Sequence, residues 1–118
     1  MLLLHVYLYI QKLTNAKFFK FDVVEFYPSI TKELLDKALD FALSHCELTE
    51  TEKEIITHSK YSLLIYNKDE WEKKTGNFDV TMGSYDGAET CELIGIYMLN
   101  ILQQHIQAKQ IGLYRDDG

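Results

Sequence analysis

The first ten residues, MLLLHVYLYI, are apolar at nearly every position, and Gln11 and Lys12 end the run. That is about half the length that spans a bilayer, so the segment predicts a buried strand or helix and no membrane span. Phe18 to Val24 (FFKFDVV) is aromatic and β-branched, with Lys20 and Asp22 on one alternate face, which predicts a strand that Tyr27-Pro28-Ser29 stops. From Leu34 the period changes to that of a helix. Leu34, Ala38, Ala42 and Cys46, with Leu35, Leu39 and Leu43, oppose Glu33, Asp36, Lys37 and Asp40, and Thr31 is placed to cap the start.

Thr49-Glu50-Thr51-Glu52 has the form of a capping box and predicts a shorter helix to about Lys60. Tyr61 to Tyr66 (YSLLIY) then predicts a strand, Asn67 to Asn77 a polar turn, and Phe78 to Met82 the strand that closes a hairpin, with Trp71 packed over one end of it. Asp86, with Glu89 three residues on, opens the longest helix, expected to run to about Gln110. Its apolar set, Ile94, Tyr97, Met98, Ile101, Leu102 and Ile106, is wide enough to lie against a sheet.

Ile111 to Arg115 (IGLYR) predicts a last short strand, and Asp116-Asp117-Gly118 the turn after it. Such changes of period are those of an α+β or α/β domain. A strand that runs into an Asp-Gly turn expects a hairpin partner, and no residues follow that could supply one, so the chain reads as a fragment.

Composition narrows this little: 118 residues with 47% hydrophobic and 25% charged content suit one compact domain and exclude a disordered or collagen-like chain. The formal net charge of −6 argues against a protein that grips duplex by itself, because phosphate contacts need clustered cations. Cys46 and Cys91 form no disulfide framework or C-x-x-C pair, which points to a reducing, intracellular setting with both thiols buried. His5, His45, His58 and His105 have no metal-ligand spacing. Neither a convincing secretory signal nor a basic import cluster is present, so localisation is left open.

Three carboxylates carry the candidate chemistry. Asp22 lies in an apolar strand, where a buried acid requires a cationic partner or a metal. Asp116 and Asp117 follow another strand directly; judged alone, Asp-Asp-Gly is also ordinary turn chemistry. Two adjacent strands that present aspartates at one level would hold two Mg²⁺ ions about 4 Å apart, the arrangement that stabilises attacking and leaving oxygens in phosphoryl transfer.

In three places, and in order, these residues resemble the palm motifs of reverse transcriptases. Phe21-Asp22-Val23-Val24-Glu25-Phe26-Tyr27-Pro28-Ser29-Ile30 resembles the first motif, an apolar strand with a metal-binding aspartate and an aromatic residue five positions on. Met82-Gly83-Ser84-Tyr85-Asp86-Gly87 is similar to the middle motif, a glycine turn that opens a helix beneath template and incoming nucleotide. Tyr114-Arg115-Asp116-Asp117 looks like the Tyr-x-Asp-Asp motif, with Asp116 94 positions after Asp22. The resemblance covers about residues 18–118 and leaves 1–17 as an apolar segment apart from it.

It implies a polymerase palm: an antiparallel sheet with helices packed on one face, here incomplete. Asp22 and Asp116 would share two Mg²⁺ ions with Asp117 beside them and the Val23 carbonyl as a further ligand. Tyr27 would lie under the sugar and block a 2′-hydroxyl; the alternative for it is a turn tyrosine packed beside Pro28. Gly83 and Arg115 would contact substrate. The implied partners are an RNA or DNA template, a primer and a deoxynucleoside triphosphate, together with fingers and thumb segments that this stretch lacks.

Two positions depart from the pattern. Met82 stands where a glutamine is common, and Arg115, the only arginine, fills the x position, where it would either pair with the carboxylates or reach a primer phosphate. A B-type DNA polymerase palm is the rival resemblance through Phe26-Tyr27-Pro28-Ser29-Ile30. Against it, residues 84–104 contain no lysine, and Asp116 and Asp117 are contiguous. A non-catalytic retroelement remnant is the third reading, and the isolated chain is expected to be inactive.

Overall fold

The computed structural model describes residues 2–5, 20–74, 76–81, 83–106, 111 and 114–115; for residues 2–5, 20–21 and 114–115 it describes the backbone alone. The chain is α+β. Its elements are β1 (Leu2–His5), β2 (Lys20–Asp22), α1 (Phe26–Ser29), α2 (Lys32–Leu43), α3 (Glu50–His58), β3 (Leu64–Tyr66), β4 (Asp69–Trp71), α4 (Gly87–His105) and β5 (Tyr114–Arg115). They fall into two compact units, residues 1–26 with 95–118 and residues 27–94.

The first unit contains a three-stranded antiparallel sheet of order β2-β1-β5. Leu3 pairs with Asp22 on one side and with Tyr114 on the other, and Leu2 pairs with Arg115. The last strand, for which the sequence expects a hairpin partner after the Asp-Gly turn, is paired here with β1, from the opposite end of the sequence. The strands carrying the first and last motifs are not neighbours. With β1 between them, β2 and β5 run parallel about 10 Å apart, two interstrand spacings of ~4.8 Å.

In the second unit the helices begin where local chemistry directs. Thr31 is extended (φ −92°, ψ 160°), and its hydroxyl accepts the Leu34 N–H, which satisfies one of the donors a helix start leaves free. Thr49 and Glu52 form the complete reciprocal capping box of α3. Lys32–Asp36 and Lys37–Glu33, one turn apart at 2.8 and 2.7 Å, line the solvent side of α2. The opposite stripe is buried: Leu35, Ala38 and Leu39 join Ile30, Val80, Cys91 and Ile94 in the apolar core. Cys46 is exposed, which corrects the expectation that both thiols are buried.

The β-hairpin also differs from the sequence expectation. Leu64–Tyr66 pairs with Asp69–Trp71, across a two-residue turn in which Asn67 (φ 54°) and Lys68 (φ 70°) are both left-handed. Two left-handed central residues give a type I′ turn, whose twist matches that of the strands it joins. Phe78 meets Tyr61 only as an isolated bridge, supported by Ser62 N–H to Asn77 O (2.9 Å) and Asp79 N–H to Lys60 O (2.8 Å). Trp71 belongs to β4 itself and is 56% exposed, which corrects its expected place as a loop residue packed over the hairpin end. No helix among the described residues is long and apolar enough to cross a membrane.

Candidate functional site

The candidate residues are divided between the two units. In the first, Asp22 is the last residue of β2 and is exposed. The expectation that it is a buried acid in mid-strand is corrected, because the strand ends at it. Its carboxylate needs no compensation for burial and presents hard oxygens to solvent, and none of the described ion pairs occupies it. Val23 follows, half-buried. Glu25 then turns the chain with φ 50°, a left-handed conformation that a long side chain adopts only when its surroundings enforce it.

The Arg115 backbone lies in β5, paired with Leu2. Asp116 and Asp117 lie outside the described residues, and so does Met82. Among the described residues no group of three histidine, cysteine or acidic side chains could hold a metal ion.

In the second unit, Ser84 N–H donates to the Thr81 carbonyl at 3.1 Å and closes a tight turn. Gly83 occupies its third position with φ 85°, the conformation that excludes most side chains there. The Ser84 hydroxyl donates to the same carbonyl at 2.8 Å, and Gly87 N–H donates to Ser84 O at 3.2 Å. Gly87 is buried and allows no side chain: a Cβ there would lie 2.7 Å from Ser84 Oγ and 2.8 Å from Thr81 O. The next nearest atom, at 3.8 Å, is Cε1 of Tyr27. The Tyr27 ring thus lies beside the first residue of α4, so the aromatic position of the first motif and the glycine turn of the middle motif are neighbours.

Asp86 ends this turn and begins α4. Its carbonyl accepts the Thr90 N–H (3.1 Å) and the Thr90 hydroxyl (2.8 Å), while its carboxylate pairs with the ammonium of Lys60. That hydrogen bond and charge hold the Asp86 carboxyl below its ordinary range. Lys60 is 3% exposed, the most deeply buried charged residue described. Sequence reasoning passed over it, since a lysine after a helix reads as an exposed C-terminal cation. The spacing of Ser59-Lys60 from Asp86 contains no local signal; only the pairing of residues 60–62 with 77–79 brings them together.

A groove of about 390 Å³ at the hairpin base, lined by Leu64, Trp71, Asn77 and Asp79 among others, includes none of the candidate residues. No family model, curated protein or solved structure matches this chain.

Proposed function

We propose that the chain forms part of the palm of a reverse-transcriptase-like polymerase and serves two-metal transfer of a deoxynucleotide to a primer 3′-hydroxyl. One observation carries the reading: the strands of the first and last motifs lie in one sheet, with Asp22 and Tyr114 opposite the same residue, Leu3. That register puts Asp22 and Tyr114, 92 positions apart in the sequence, on either side of β1 in one sheet. Within the second unit, the nearness of the Tyr27 ring to Gly87 supports the place of Tyr27 in this reading.

In this reading Asp22, Asp116 and Asp117 hold Mg²⁺ with the Val23 carbonyl. The bound ions would supply activation of the 3′-hydroxyl and neutralisation of pyrophosphate. Tyr27 limits the space at the sugar 2′ position, and Gly83 lets backbone approach the nucleotide. The protein contributes alignment and electrostatic complementarity, with no covalent chemistry of its own.

Paramagnetic broadening by Mn²⁺ tests the carboxylate set. We expect amides at 21–23 and 114–117 to broaden first in the 118-residue chain, and Asp22→Asn to remove the effect at both segments. Broadening elsewhere, or broadening that survives Asp22→Asn, would sink the assignment. In a longer polymerase that contains this stretch, Asp22→Asn and Asp116→Asn are each expected to abolish primer extension.

A further inference from the structure

Lys60 joins three parts of the second unit. Its N–H donates to Thr57 O (3.2 Å) at the end of α3, its carbonyl accepts the Asp79 N–H (2.8 Å), and its ammonium holds the Asp86 carboxylate at the start of α4. The turn carrying Gly83 hangs between the last two of these attachments. On one side Val80, 2% exposed, anchors it in the core; on the other the only described charged contact is Lys60 with Asp86, which the Ser59 side chain also reaches.

We propose that Lys60 is a positioning residue. Acting through Asp86, it fixes the Thr81–Gly87 turn and so sets Gly83, and Gly87 beside the Tyr27 ring, in the orientation that the nucleotide site needs. The functional part of this inference rests on the polymerase reading given above.

The two members of the pair are unequal. Lys60 is 3% exposed at its side chain and Asp86 45%. Lys60→Met replaces a buried ammonium by an apolar chain of similar length and leaves a carboxylate that water can solvate, so the unit folds. Asp86→Asn leaves the ammonium buried without its counter-charge and is expected to be the more damaging change.

Amide hydrogen exchange on the 118-residue chain and its Lys60→Met, Lys60→Arg and Asp86→Asn variants tests the proposal. In Lys60→Met, exchange at 83–87 is expected to accelerate on the order of tenfold or more, the loss of one charge-assisted bond, while the α2 amides of Leu35 to Leu39 keep their protection. Lys60→Arg is expected to restore part of the effect. Unchanged exchange at 83–87, or equal loss across 27–94, overturns the positioning role. Titration with a deoxynucleoside triphosphate and Mg²⁺ separates the two claims. Failure of the parent chain to bind refutes a nucleotide site in this chain and leaves the exchange result to decide the role of Lys60.

Discussion

At Gly87 one missing side chain decides the local geometry. The atoms a Cβ would meet include a backbone carbonyl, Thr81 O at 2.8 Å, which cannot rotate away as a side-chain tip can. Gly87→Ala is therefore expected to cost about 1–3 kcal/mol of unfolding free energy, read from urea midpoints. Gly76, with φ 99° but open space around it, is the control: alanine there meets only backbone strain, about 1–2 kcal/mol. Gly87→Ala is also expected to displace the neighbouring Tyr27 ring, seen as a change in its proton shifts, and Gly76→Ala is not. An unmoved Tyr27 spectrum in Gly87→Ala would count against the packing of the two motifs. In the sequence, the glycine turn was legible at Gly83 only through the resemblance of residues 82–87 to the middle motif. The burial of Gly87 and Lys60 was not, since both depend on residues far along the chain.

Among the elements, α2 and α3 were readable because their signals are contiguous: Thr31 before an amphipathic run, and Thr49 with Glu52 in one capping box. The β3–β4 hairpin failed for a local reason. Asn67-Lys68 puts a lysine at the second left-handed position, where glycine is the usual marker, so Asp69 to Trp71 read as loop. Nor did alternation help, as every residue of both strands is exposed. No charge interrupts Tyr61 to Tyr66, whereas β4 carries Asp69 and Glu70; an apolar open edge of this kind favours self-association. Ile65 is 71% exposed and pairs with Glu70. Ile65→Lys places opposite charges across the ladder and is expected to lower concentration-dependent light scattering while changing stability by less than about 0.5 kcal/mol. Leu39→Ala, at a position 1% exposed, is expected to cost about 2–5 kcal/mol. Equal scattering from Ile65→Lys and the parent would show that the β3 edge is not what drives association.

At the scale of the whole molecule, the fold class was legible from the changes of period, but the sheet that carries Asp22 was not. The run MLLLHVYLYI showed that its residues want burial, and nothing local indicated that Leu2–His5 would be a central strand, because pairing across more than 100 positions is set by tertiary contacts alone. The net charge of −6 fits the polymerase reading when the carboxylates are counted as metal ligands and the grip on nucleic acid is assigned to other segments. The sheet makes the sharpest demand on β1, since Leu3 is in register with both neighbours. Proline at a central-strand position removes a ladder donor and is tolerated almost only at edges. Leu3→Pro is therefore expected to abolish amide protection at 20–22 and 114–115 and, with it, the Mn²⁺ broadening at both segments, although no carboxylate has been altered. Because the second unit has its own core around Leu35, Leu39, Val80 and Ile94, protection in α2 and α3 is expected to survive. Persistent broadening at Asp22 in Leu3→Pro would mean that the carboxylates gather metal without the sheet, and the register through Leu3 would then lose its place as support for the polymerase reading.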